Sequence, residues 1–505
     1  MRKRISLCAA VGLSLLLATL GPALAQKRGG VLKFAVPSVK PGLDPAHTST
    51  GDGYMLTQAI FSNLTRADEN LEARPQLARS WEANADASAW TFHLVQGAKF
   101  HNGREVTADD VVFTIQRILD PKTASRGAKA IGPIKQVVAK DKYTVVIELE
   151  GPYADLPVQL STQFARIVAK ENIDKIEREP IGSGPFKLKE YVPGSKAVLI
   201  RNPDYFEKGL PYLDEVHQVY LKEYAAQLSA LTTGEIHIMY LAPVELIPQL
   251  KRDPNLQVLE VTAPSFQPFE LFVNKKPMTD VRVRQALRLA ADRKAMMDAA
   301  TGGHGVLGND IPIPPYSPFY NKALPQRERD VKRARELLAE AGYKNGLDIT
   351  LYTSSGRPGM EESAIAYRES AKEAGIRVKI ESTDIARLYS EVLRKPPESA
   401  LVQINWFGQP TVDGSITPFV FTKSSWNFTE YSNPKVDSLL TEASRTIDVE
   451  KRKRLYNEVQ KILWEEGPEL IPYFRNYVSA IRKTVKNYKL IPLQWVELRD
   501  VWLDR

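Results

Sequence analysis

The sequence predicts an α/β fold. Short apolar runs rich in β-branched and aromatic residues alternate with amphipathic stretches along the chain. One run keeps a strict period of two, and several helical stretches carry recognisable start and stop residues. Neither an internal repeat nor a low-complexity linker interrupts the pattern.

"GGVLKFAV" (Gly29 to Val36) reads as a strand entered through glycines. In "AWTFHLVQGAKFHNG", Trp90, Phe92 and Leu94 alternate with Thr91, His93 and Val95, the pattern of a half-buried strand. Gln96-Gly97 turns the chain, and a second short strand is expected to end at the turn dipeptide Asn102-Gly103. "TADDVVFTIQRIL" is a helix. Thr107 caps it, Asp110 completes a capping box, and Val111, Ile115 and Ile118 share a face. "LFVNKKP" (Leu271 to Pro277) is a strand running into a polar break, followed by "TDVRVRQALRLAADRKAMM" as one capped helix. "DVKRARELLAEAG" (Asp330 to Gly342) starts at an acid and stops at a glycine. "NPKVDSLLTEA" has Asn433 as cap, Pro434 at the first helical position, and Val436, Leu439, Leu440 and Ala443 on one face. "VEKRKRLYNEVQKILWEEG" ends at Gly467, and a second break lies near "PYFRNYVSAI" (Pro472 to Ile481). The two breaks are candidate crossings between lobes.

The first 25 residues read as a secretory signal peptide. Arg2, Lys3 and Arg4 precede an apolar run that closes on Gly21, Pro22 and the small-residue site Ala23 to Ala25. Cys8, the one cysteine, lies inside this segment. The mature chain is therefore expected to have 480 residues (505 − 25), no disulfide and no thiol chemistry. Its charge is about +5 (+8 less the three leader cations). Basic and acidic residues are interleaved without a cationic block, which argues against nucleic acid. No run after residue 25 is apolar for long enough to span a bilayer. An exported, periplasmic protein is the expectation.

Catalytic motifs find little purchase. Gly303, Gly305 and Gly308 make a GxGxxG, but a helical stretch precedes it and the proline-rich "IPIPPYSP" follows, so a loop is expected rather than a dinucleotide site. The six histidines (His47, His93, His101, His217, His237 and His304) form neither HExxH nor HxxH, and no metal site or cofactor is expected. No GxSxG elbow occurs.

The stretch "LARSWEANADASAWTFHLVQGAKFHNGREVTADDVVFTIQRIL" resembles the characteristic segment of the family 5 extracytoplasmic solute-binding proteins, the peptide, dipeptide and nickel-type binding components of ABC importers. Val95 stands where arginine is commoner. "SVKPGLDPAHTSTGDGYMLTQAIFSNL", "IGSGPFKLKEYVPGSKAVLIRNPDYF" (with Tyr191 where tryptophan is common) and "FVNKKPMTDVRVRQALRLAADRKAMM" resemble further family blocks in the same order. The resemblance covers nearly the whole mature chain. It implies a two-lobed periplasmic-binding-protein type II-like fold with mixed sheets and an extra small α/β domain. Lobe I would comprise 26–62, 183–272 and 478–505, the extra domain 63–182, and lobe II 273–477. It also implies capture of a small-molecule or peptide ligand in an interlobe cleft, delivery to ABC permease subunits, no catalysis, and a monomer.

"NWFGQPTVDG" (Asn405 to Gly414) resembles the family segment that enters the cleft from lobe II. There the tryptophan packs on the ligand and an aspartate pairs with a peptide's ammonium group. The tryptophan is Trp406, but the aspartate position holds Gln409. Either Asp413 takes over the charge, or the ligand lacks a free ammonium, as an opine, sugar derivative or metal chelate would. Asn405, Trp406, Phe407, Gly408, Gln409 and Asp413 are thus the candidate ligand-binding residues. Gly51, Asp52 and Tyr54, in the loop "TSTGDGY", are secondary candidates, because the family's backbone passes the ligand there. A secreted hydrolase and a chemoreceptor partner or chaperone are the rival classes.

Overall fold

A computed structural model describes residues 26–37, 42–48, 51–493 and 495–504, save the side chain of Asp52. The expected signal peptide, 1–25, lies outside the described residues. Among the described residues, no helix is long and apolar enough to cross a membrane.

Two mixed sheets dominate. In the first, the strands run in the order Leu256–Phe266, Tyr473–Arg482, Ile238–Met239, Val31–Val36, Glu215–Tyr220, Lys196–Arg201 and Phe186–Val192. Val31–Val36 is parallel to both of its neighbours, and the other pairings are antiparallel. The second sheet has the order Ile376–Ser382, Leu347–Thr353, Ala400–Gln403, Phe269–Leu271 and Glu469–Leu470. Helices cover both of its faces. One face carries a core around Phe269, Leu351 and Leu401, the other a core around Phe272, Val402 and Tyr456.

The chain leaves the first sheet for the second through Gln267-Pro268 and returns through Ile471-Pro472. The first crossing precedes Val273 and the second precedes Tyr477. A separate four-stranded antiparallel sheet (Ala78–Ala83, Ala89–Leu94, Thr144–Leu149, Ile134–Asp141) packs on helix Ala108–Leu119 over its own core.

Local chemistry explains these elements. Trp90, Phe92 and Leu94 are buried while Thr91 and His93 are half-buried, as a period of two requires. The Asp110 carboxylate accepts the Thr107 N–H at 2.9 Å and is gripped by Arg104. Asn433 caps helix Pro434–Arg445 by accepting from the N–H of Lys435 and Val436.

Three expectations need correction. After Gly97 there is no second strand, only a single bridge between Lys99 and Glu105; the neighbours of Ala89–Leu94 are more distant in sequence. The helix expected across "TDVRVRQALRLAADRKAMM" is two, Val281–Leu289 and Arg293–Thr301. Asp292 ends the continuity by capping the second, its carboxylate accepting from Ala295. The GxGxxG region is partly a strand: Gly305–Leu307 pairs with Tyr473–Arg482. A Cβ on Gly305 or Gly308 would lie 2.6 or 2.2 Å from a backbone oxygen, so these glycines serve close strand approach.

Candidate functional site

The strand Ala400–Gln403 runs on through Ile404 into Asn405–Gly414 at the edge of the second sheet. Two ties hold Asn405. Its N–H donates to the Tyr389 hydroxyl at 2.7 Å, and that hydroxyl donates to its carbonyl at 3.1 Å. Its side-chain oxygen accepts from the Gln267 amide, which also donates to the carbonyl of Pro358. Gln267 in turn accepts from the Tyr473 hydroxyl at 2.7 Å. The residue at the first inter-sheet crossing is thereby bonded to the candidate segment.

Trp406 is nearly buried, at 9 % exposure. Its ring packs edge-on against Phe419 at 4.1 Å and Trp426 at 5.6 Å. Phe407 turns outward, half exposed, with the Arg357 guanidinium 5.6 Å from its ring centroid. Gly408 allows the chain to pass Pro264, whose oxygen would lie 2.1 Å from an added Cβ. Thr411 then caps helix Val412–Val420 by accepting from the Gly414 N–H at 3.0 Å. This places Asp413 in the first turn, where the helix dipole favours a negative charge.

Part of this segment forms one wall of a cavity of about 1310 Å³. Asn405, Trp406, Phe407, Gln409 and Asp413 all line it, joined by Arg357, Tyr389 and Trp426. The facing wall comes from the four-stranded sheet and its flanking loops, including Ile134, Glu150, Tyr153 and Gln159. The two walls touch beside the cavity. The Ala154 N–H donates to the carbonyl of Ser444 at 2.8 Å, and Asp155 forms a buried ion pair with Arg452.

Asp413 is the most perturbed acid of the lining. Burial pushes its carboxyl up to about 6, and nearby Asp155 adds to the rise; the Thr417 hydroxyl, donating at 2.7 Å, and the more distant Arg452 oppose it. The residue is half-buried and lines the cavity. Among the described residues no cation lies within ion-pair distance of it. Tyr153, across the cavity, is held far above the usual phenol range by burial and by Asp155 and Asp413.

Gly408, Gly51 and Tyr54 do not line this cavity. The segment expected as a loop enters helix Gly51–Ile60 at Gly51, and Asp52 belongs to that helix. Tyr54 packs edge-on against Phe164 at 6.3 Å, and its carbonyl accepts from the buried Arg166 at 2.8 Å. Arg357, Tyr389, Trp426 and Tyr153 escape sequence reasoning, being scattered over segments with no motif. The one hint is Arg357 in the Gly/Pro turn "SSGRPG".

Elsewhere Asp44, His47 and Glu177 offer ligand atoms within 4.8 Å of one another. Their oxygens are already engaged. Arg117 holds Asp44 through both nitrogens, and Glu177 accepts the Leu43 N–H at 2.8 Å. His101 bridges the backbone at Gly182 and Gly184, and burial lowers it to about 4, so it stays neutral.

The model of the bacterial extracellular solute-binding proteins, family 5, matches residues 72–428, more than half of the chain. The chain belongs to this family. It is a solute-binding component of an ABC importer, with the mixed-sheet architecture of such proteins. It is 27 % identical over 499 residues to the glutathione-binding protein GsiB of Salmonella paratyphi A, with 96 % of each chain covered. It is 27 % identical to di/tripeptide-binding protein 1 of Pseudomonas aeruginosa, covering 97 % of this chain and 98 % of the relative. The periplasmic binding protein DppA of Helicobacter pylori, solved in complex with the peptide STSA, superposes with a TM-score of 0.74 at 27 % identity, covering 95 % and 99 % of the two chains.

Proposed function

We propose that this protein captures a short peptide in the cavity and presents it to the importer's permease from the periplasm, after loss of residues 1–25. The observation that carries this reading is Asp413. A carboxylate on the cavity wall with one hydroxyl donor and no paired cation calls for a positive group on the ligand. A peptide's ammonium supplies it. Arg357, held over Phe407 on the same wall, suits the terminal carboxylate. Trp406, Phe407 and Trp426 supply apolar surface between.

The lobes of this reading are 26–62 with 183–272 and 478–505, the extra domain 63–182, and 273–477. The hinge is the pair of crossings at Gln267-Pro268 and Ile471-Pro472. A ligand that touches both walls favours the state in which they approach, and the permease reads that state. The protein acts as a monomer and breaks no bond in its solute.

Gln409 favours a second reading, a solute without an ammonium, since the amide contributes less to a cation than a carboxylate would. Mass spectrometry of the material released on denaturing the purified protein separates the two. Short peptides support the proposal, and a single non-peptide solute lacking an amine overturns it.

A further inference from the structure

The cavity wall opposite Trp406 carries a cationic turn that peptide capture alone leaves without a task. Residues Arg126–Lys129 form one 3-10 turn. Side chains three apart eclipse in such a helix, so Arg126 and Lys129 project from the same side, and both line the cavity.

The turn is fixed from behind. Ser125 caps it by accepting the Gly127 N–H at 3.0 Å, and its hydroxyl donates to the carbonyl of Ala46. Gly127 packs bare backbone against Phe164, whose Cβ would lie 2.6 Å from an added Cβ. Such a turn is placed rather than waving in solvent.

Arg445, at the end of helix Pro434–Arg445, lines the same space from the Trp406 side. Among the described residues, Arg126, Lys129 and Arg445 have no acidic partner within ion-pair distance. With Arg357 the lining holds four cationic side chains against two acidic ones, Glu150 and Asp413. Arg126, Lys129 and Arg445 are exposed, so their pull on an acidic ligand acts through water and is screened by salt.

We propose that the protein selects peptides of net negative charge, and that Arg126 and Lys129 read an acidic side chain of the peptide. This rests on the peptide reading above. Charge complementarity of this kind sets specificity more than raw affinity.

The test titrates Ala-Glu-Ala, Ala-Gln-Ala and Ala-Lys-Ala into the mature protein, read by tryptophan fluorescence. One charge-assisted contact should favour the glutamate peptide about tenfold over its glutamine isostere, with lysine weakest. The preference should shrink as salt is raised, and it should vanish in the Arg126→Gln/Lys129→Gln variant. Equal affinity for the Glu and Gln peptides, or a preference that survives in the double variant, overturns the charge assignment and leaves peptide capture standing. If none of the three binds to folded protein, the peptide reading fails and this assignment falls with it.

Discussion

The main chain of Trp406 is bonded to that of Phe266 in both directions, at N–O distances of 2.9 and 3.3 Å. Phe266 ends the last strand of the first sheet before the crossing. The residue whose ring walls the cavity is therefore stitched to the segment through which the chain crosses between the two sheets. Ser265 adds a third bond, its hydroxyl donating to the Trp406 carbonyl at 2.8 Å.

This double duty shapes what a substitution there does. Trp406→Ala should weaken binding, but it also opens a hole beside Phe419 and Trp426, at a stability cost of roughly 3–5 kcal/mol. Trp406→Phe keeps most of the packing and is the cleaner probe. It should lower affinity several-fold with little change in melting temperature. An unchanged affinity in folded protein would remove Trp406 from the ligand.

Gln409 lies against Gly414 at the start of the helix that carries Asp413. Gln409→Asp adds a second acid near the first. Peptides with a free ammonium should bind about tenfold tighter to it, since hydrogen bonds to charged groups are worth more than neutral ones. N-acetylated peptides should gain nothing. Calorimetric titration of both forms checks this, and a loss of affinity for the free-amine form would count against it.

Asp413 sets a pH dependence. Burial pushes its carboxyl up to about 6. Affinity for an ammonium should therefore fall as pH drops through 6 and level off above 7. The stability effect has the opposite sense: a carboxyl raised on folding contributes stability at low pH that is lost as pH rises through the folded value. Asp413→Asn should thus melt higher than wild type at pH 7 while binding more weakly.

Glu270 and Glu469 oppose each other on paired strands, fully buried, just inside the two crossings. Each has one carboxylate oxygen without a hydrogen-bond partner. Burial pushes Glu469 up to about 8, and burial together with Glu469 holds Glu270 well above the carboxylate range. The pair is thus protonated in the fold at neutral pH. Its contribution to stability is present below the ordinary value of 4.5 and is lost as pH rises through 8. Melting temperature should decline from pH 5 to pH 9, and Glu469→Gln should flatten that decline. An identical slope in the variant would contradict the assignment.

Legibility in the sequence followed the range of the interactions. Caps made by neighbours, such as Thr107 with Asp110 or Asn433 before Pro434, were readable, as was the alternation of Trp90, Phe92 and Leu94. The break at Asp292 was not, because a capping aspartate inside an amphipathic run looks like any helical acid. The placement of Trp406, Phe407, Gln409 and Asp413 came from resemblance rather than pattern. Arg357, Tyr389, Tyr153 and the Arg126–Lys129 turn were hidden, because tertiary contact alone brings them to one cavity. Gly408 looked like a ligand contact, yet its local environment is the oxygen of Pro264, and no sequence rule reports such an approach.

The proposed contact between Asp413 and the ligand's ammonium is isolated by a thermodynamic cycle. A short peptide and its N-acetylated form are titrated into wild type and Asp413→Asn. Acetylation and the substitution should each cost about tenfold alone, and together little more than either, since both delete the same contact. Fully additive losses, or a substitution without effect on the free-amine peptide, would contradict it.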